Sequence, residues 1–162
     1  MKAISELPAG RVVYVDETGI DQFLHRDYAR APRGEAVYGA VSGKKFQRAG
    51  IVSAQCEGKI IAPLQYAGTM NGTLFVYWFE HTLLAEVSAG AVIVMDNATF
   101  HRKKVLHQIA EKADCSLLFL PPYSPDLNPI EHFWAWLKRK LRGLLPSYDS
   151  FDDAVTACFQ FA

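Results

Sequence analysis

Three acidic residues stand at the ends of strongly patterned segments. Asp16 follows Arg11-Val-Val-Tyr-Val, Asp96 follows Ala91-Val-Ile-Val-Met, and Glu131 falls in the first turn of a helix opened by Asn128-Pro129. A charge at the last inward position of an apolar strand is expensive unless it is paired or holds a cation. Glu17 and Asp21 compete locally with Asp16 for that role. If the first and fourth strands are neighbours, the two aspartates meet, because ligands in open α/β sheets gather at the carboxyl ends of the strands. Three carboxylates brought that close are unstable as bare anions and make sense as oxygen ligands for Mg²⁺ or Mn²⁺. Two such ions roughly 4 Å apart would activate a water or sugar hydroxyl and stabilise the leaving oxygen of an in-line phosphoryl displacement. Glu131 has a second reading. With Asn128 as N-cap and Pro129 at N1, it sits at N3 of a capping box.

The elements that must position these acids follow from periodicity. Arg11–Thr18 reads as a buried strand that delivers its acids at its end. Residues 19–45 read as a polar excursion. Phe46–Gln55 and Lys59–Tyr66 read as strands joined by a Glu57-Gly58 turn, with Pro63 marking an edge or bulge. Asn71 caps a helix carrying Leu74, Phe75, Trp78, Phe79, Leu83 and Val87. Ala91–Met95 is short and wholly apolar, as a central parallel strand is. His101–Ala113 reads as a helix, Ser116–Leu120 as another buried strand, and Ser150–Phe159 as a last short helix. From Asn128 onward Ile130, Phe133, Trp134, Leu137 and Leu141 form one apolar stripe, with Trp136 off it and open to a partner. Glu131, Ala135, Lys138 and Arg142 share one flank of that stripe. The order predicts an α/β fold: three antiparallel strands passing into two parallel ones, with helices on both faces.

The chain has 162 residues and formal net charge +0, enough for one domain with a real core. Residues 1–101 carry 9 Lys/Arg and 10 Asp/Glu, residues 102–142 carry 8 and 4, and residues 143–162 carry 0 and 3. The basic excess therefore lies in the segment that holds Glu131, where it can bind phosphates locally. No apolar run approaches the ~18–20 residues of a membrane span. The N-terminus lacks a signal-peptide core, so a cytoplasmic chain is expected. Cys56, Cys115 and Cys158 are odd in number and widely spaced, which argues against a zinc site or a disulfide framework.

Val-Asp-Glu-Thr, Val-Met-Asp-Asn-Ala-Thr-Phe-His and Leu-Pro-Pro-Tyr-Ser-Pro-Asp-Leu-Asn-Pro-Ile-Glu-His-Phe-Trp together resemble the catalytic domain of DDE transposases, in the mariner-like branch of bacterial insertion sequences. The 34 residues between Asp96 and Glu131 are the interval typical of that branch. The resemblance spans residues 11–142 and implies a ribonuclease H-like fold. It implies a metal-dependent endonuclease and strand transferase that cuts element ends and joins 3′-hydroxyls to target DNA. Asp16, Asp96 and Glu131 become the catalytic, metal-binding triad for Mg²⁺ or Mn²⁺, with two ions expected, and Asn97 and His101 become near-site residues. The expected partners are DNA and a second copy in an active homodimer.

The expected organisation is a lead-in over 1–10, the catalytic domain over 11–145 and a short C-terminal helix and tail over 146–162. Members of the family carry helix-turn-helix modules ahead of this domain, and here Met1 stands 15 residues before Asp16. Such a module is expected to be absent from this chain and supplied by a separate subunit or reading frame. Candidate DNA contacts are Arg102, Lys103, Lys104, Lys138 and Arg142. Two alternatives stand beside the transposase reading: an idle remnant that only binds DNA or dimerises, and a simple ribonuclease H-like nuclease. The charge distribution makes a prediction of its own. The isolated chain should bind DNA weakly, without sequence preference, and with a steep loss as salt is added. Tight, salt-resistant binding to one sequence, read by titration at two salt concentrations, would place recognition inside this chain.

Overall fold

The computed structural model describes residues 11–21, 48–121 and 124–160. The lead-in, the polar excursion beyond Asp21, the expected strand start at Phe46-Gln47 and the Pro122-Tyr123 step lie outside the described residues. A sheet of order β3-β2-β1-β4-β5 is built from β1 (Val12–Asp21), β2 (Arg48–Cys56), β3 (Lys59–Ala67), β4 (Val92–Met95) and β5 (Ser116–Phe119). The first three strands are antiparallel, and β4 and β5 add in parallel. This is the expected mixed sheet.

The turn between β2 and β3 has positive φ at both Glu57 and Gly58, the twist a two-residue hairpin needs. Pro63 lies in β3, an edge strand, where a missing N–H costs no ladder bond. Beside it the β2–β3 register shifts between Val52 and Ala54, so both meanings of that proline are realised. The freed groups at Ala62 find partners: its N–H reaches Glu86 Oε2 and its carbonyl accepts from Trp78 Nε1.

Asn71 caps α1 (Gly72–Trp78), its side-chain oxygen accepting from the amides of Thr73 and Leu74 at 3.0 Å each. The helix continues as a π-helical turn over Phe79–Leu83 and ends in α2 (Leu84–Glu86). With α3 (Lys103–Lys112) these segments cover one face of the sheet. Val13, Val15, Phe75, Trp78, Phe79, Ile93, Met95 and Leu106 are buried there. The opposite face carries α4 (Ile130–Leu144) and α5 (Phe151–Phe159). Ile20, Ile51, Ile130, Trp134, Leu137, Leu141, Phe151 and Val155 form the core on that side. Helices therefore lie on both faces, as the pattern required.

Three local expectations are corrected. Ser116–Leu120 is not a strand buried on both faces: β5 is an edge strand, and Leu118 is exposed. Trp136 is not a free aromatic, since it stacks on Phe133 at 5.6 Å against the second core. The capping box at Asn128 does not form. The helix begins at Ile130 with no side-chain cap, and the Asn128 carbonyl accepts from the Glu131 amide at 3.1 Å. The Asn128 side chain turns the other way and donates to the Val15 carbonyl of β1 at 3.3 Å. Asn128 is buried, so its amide serves to tie the helix start to the strand.

That difference predicts opposite mutational costs. Asn128→Ala should destabilise by about 1–2 kcal/mol, because it leaves a buried carbonyl with one partner fewer. Glu131→Ala should stay within about 0.5 kcal/mol of the parent, as an exposed side chain without a cap bond would. Urea unfolding of both variants checks this, and the reverse ranking would restore the capping box.

Candidate active site

β1 and β4 run in parallel only as far as Tyr14↔Val94. Beyond Met95 the chain of β4 leaves the sheet, while β1 continues to Asp21 on its pairing with β2. Asp16 is therefore mid-strand, not at the strand end as expected. Continuing the parallel register by two residues brings Asp96 level with Asp16, just where the strands part. A cleft must open there, because backbone that was paired on one side is now free. A recess of about 160 Å³ occupies it, lined by Val15, Asp16, Glu17, Phe75, Met95, Asp96, Ala98, Phe100 and His101.

Side-chain alternation sends Asp16 and Glu17 to opposite faces of β1. Asp16 leans toward α4, where Trp134 Nε1 donates to its Oδ2 at 3.0 Å. Glu17 faces the α3 side, with Oε1 4.0 Å from His101 Nε2. Asp96 is more open, its side chain 56% exposed, and its Oδ1 lies 3.5 Å from His101 Nδ1. The same oxygen accepts from the Ala98 amide at 3.2 Å. Asn97 is exposed beside it. Glu131 is exposed in the first turn of α4 and does not line the recess, although its charge is felt at Asp16.

The electrostatics follow from this crowding. Burial pushes the Asp16 carboxyl up from 3.8 to about 6; the Glu131 and Asp96 charges add to the rise, and hydrogen bonds from the Glu17 amide and Trp134 oppose it. Burial raises Glu17 further, from 4.5 to about 8, reinforced by the charges of Asp96 and Asp16. Burial also lowers His101, against the pull of the Asp96 charge and carbonyl, with Lys103 adding to the fall. So several carboxyls crowd this centre, and among the described residues no Lys or Arg enters the balance at Asp16 or Glu17. Its donors are hard carboxylate oxygens, the set that suits Mg²⁺ or Mn²⁺. Among the described residues no three such groups already converge closely enough to enclose one ion.

The expected DNA-contacting residues divide. Arg102 donates to the Thr73 hydroxyl at 3.0 Å, and the Lys103 ammonium lies 4.9 Å from the Phe119 ring centroid. Lys104 and Arg142 are exposed, and Lys138 is half-buried. Two contributions were hidden in the sequence. Trp134 reads as core because it lies on the apolar stripe, yet an indole N–H in a core seeks an acceptor. Glu17 reads only as a competitor of Asp16, whereas the structure brings both to the same recess.

A family model described as DDE superfamily endonuclease matches residues 11–153. An uncharacterized protein of Sinorhizobium fredii is 29% identical over 133 residues, 75% of this chain and 78% of that protein. The Tc1 transposase of Caenorhabditis elegans is 38% identical over 73 residues, 43% of this chain and 27% of that protein. The fold is similar to Mos1 transposase in its paired-end complex with the left transposon end, with TM-score 0.73, 16% identity, and coverage of 99% of this chain and 50% of that one. The catalytic domain of Mos1 mariner transposase gives TM-score 0.64 at 16% identity, with 99% of this chain and 73% of that one covered. This chain thus spans half of the Mos1 chain in the first complex and about a quarter of Tc1 transposase.

The raised carboxyls predict the pH dependence of the metal-free protein. Their protonated forms are favoured by folding, so the native state binds more protons than the unfolded chain between pH ~4 and ~8. The stability they contribute is complete below their unfolded values and is lost as pH rises through about 6 for Asp16 and about 8 for Glu17. In chelator, the melting temperature should fall across that window, and Asp16→Asn with Glu17→Gln should flatten the fall. Equal slopes for parent and double variant would contradict the shifts.

Proposed function

The chain belongs to the DDE superfamily endonuclease family, and from that membership we propose that it is a transposase catalytic domain that cuts element ends and joins the freed 3′-hydroxyls to target DNA. One observation carries this reading: Asp16 and Asp96 share a recess where two parallel strands part, with Glu131 in electrostatic reach. Asp16, Asp96 and Glu131 would hold the metal, Mg²⁺ or Mn²⁺. Two bound ions would supply activation of the attacking hydroxyl and stabilisation of the leaving oxygen in an in-line displacement.

The chain's own residues prepare that chemistry. Trp134 fixes one oxygen of Asp16, so the carboxylate meets its ligand with one rotamer already chosen. Phe75 and Phe100 form apolar walls of the recess and strengthen every interaction between charges inside it. Glu131 stands on a helix whose start is tied to β1 through Asn128, which limits how far it can drift from Asp16. Lys103 and Lys104 at the start of α3, with Arg142 on the flank of Glu131, supply cations for the DNA backbone; Arg102 and Lys138 stand beside them. Asn97, exposed next to Asp96, faces the same substrate.

The domain extent proposed is 11–145, with 146–162 as the C-terminal segment. The active species is a cytoplasmic homodimer holding two element ends. The Mos1 structure described as a paired-end complex supports that last reading. No helix among the described residues is long and apolar enough to cross a membrane. The three carboxylates favour an enzyme over an idle remnant, since a remnant has no need to retain a costly acidic cluster.

Glu131→Gln tests the triad. In chelator it should melt at or slightly above the parent temperature, because one of the crowded like charges has gone. With Mn²⁺ the rise in melting temperature should shrink, and nicking of a DNA end should fall by more than the about 10–100-fold that loss of an outer-shell partner costs, because a ligand itself is changed. Asp16→Asn and Asp96→Asn should behave likewise in the cleavage assay. Variants that cleave like the parent would overturn the reading.

A further inference from the structure

His101 lies next to the recess and carries a feature the proposed chemistry does not use. Its side chain is only 2% exposed, and it is boxed by aromatic rings, with centroids 4.4 Å away at Phe75, 4.5 Å at Phe100 and 6.3 Å at Phe119. The ring cannot reorient without disturbing that packing. Its backbone is held as well, the amide donating to the Ala98 carbonyl and the carbonyl accepting from the Lys103 amide.

The two nitrogens face different groups. Nδ1 is 3.3 Å from the Asp96 carbonyl and 3.5 Å from Asp96 Oδ1. Carbonyl and ionised carboxylate oxygens only accept, so Nδ1 must carry the hydrogen. Nε2 is buried with no hydrogen-bond partner among the described residues, and it points toward Glu17 Oε1 at 4.0 Å. A single rigid ring thus stands between the carboxylates of Glu17 and Asp96, its Nδ1 bonded to the Asp96 backbone and nearer to the Asp96 carboxylate than Nε2 is to that of Glu17.

We propose that His101 is a positioning residue: through Nδ1 it sets the orientation of the Asp96 carboxylate toward the metal. The inference rests on the reading of Asp96 as a ligand. Without such a brace an open side chain samples several rotamers, and each ion bound must first select one. Hydrogen-bonding partners behind a ligand commonly carry about 10–100-fold in metal affinity. The Ala98 amide supplies one such bond to Oδ1, and on the aromatic side His101 Nδ1 is hydrogen-bonded to the Asp96 carbonyl at 3.3 Å with Oδ1 3.5 Å away. On the Nε2 side the ring acts as a spacer that keeps Glu17 apart from Asp96.

Amide substitutions separate the two nitrogens. In His101→Asn the side-chain amide nitrogen takes about the place of Nδ1 and can still donate to Asp96, whereas in His101→Gln the amide reaches toward the place of Nε2. His101→Phe fills the aromatic box with no donor. The readout is the dissociation constant for Mn²⁺ alone, measured on the full chain by electron paramagnetic resonance, beside the melting temperature in chelator. His101→Phe should weaken Mn²⁺ binding by about 10–100-fold, His101→Asn should recover most of it, and His101→Gln should not. Equal losses in all three variants, or none, would overturn the positioning role, because packing alone does not distinguish Asn from Gln. Asp96→Asn is the control for the underlying reading. If it binds Mn²⁺ like the parent, Asp96 is not a ligand and both readings fall. If it loses Mn²⁺ while His101→Phe does not, only the positioning role fails.

Discussion

The parallel pairing of β1 with β4 is the contact on which the rest depends. It lasts three residue pairs, Val12↔Val92 to Tyr14↔Val94, and its brevity matters as much as its presence. Where β4 leaves, β1 loses a neighbour on one side while β2 still holds it on the other. The gap leaves the Val15 carbonyl and the Asp16 carboxylate in want of partners, and two side chains of one segment supply them. Asn128 takes the Val15 carbonyl, and Trp134 takes an oxygen of Asp16. Both come from the segment that starts α4. The same parting of strands that opens the recess thereby recruits the helix that carries Glu131.

The two faces of the sheet contribute differently. On the α4 side the apolar stripe buries Ile130, Trp134, Leu137 and Leu141 against Ile20, Ala49 and Ile51, so that helix is anchored along its length. On the other side the box of Phe75, Phe100 and Phe119 encloses His101. One face offers a carboxylate hydrogen-bonded by an indole, the other two carboxylates with an imidazole between them. Burial, reinforced by crowding of like charges between them, raises Asp16 and Glu17, a strain that folding alone leaves in place and that bound cations would relieve.

The fold was largely legible in the sequence. The Glu57-Gly58 turn joins two strands as a hairpin, whereas wholly apolar Ala91–Met95 has the composition of a central parallel strand, and the antiparallel-then-parallel order follows from that contrast. Boundaries were less accessible. Gly19-Ile20-Asp21 carries no strong strand signal, and its strand character comes from the ladder to β2, which runs on to Asp21↔Arg48. The edge position of β5 was hidden because a short apolar run looks the same whether one face or two are covered.

By itself the sequence determined the element types, the mixed sheet and the family, and it singled out three acids as candidates for a shared site, because spacing and residue chemistry are local properties. Tertiary structure decided how those acids are held. Asn128 has the local chemistry of a cap, yet its amide goes to a strand 113 residues away in sequence. Trp134 looks like core alone, yet its N–H reaches Asp16 across 118 residues. Glu17 and His101, separated by the whole first half of the fold, come to face each other across the recess. Local pattern cannot report such pairings: a polar group accepts whichever partner the packed chain brings within about 3 Å, and that choice is made only when strands and helices have taken their places.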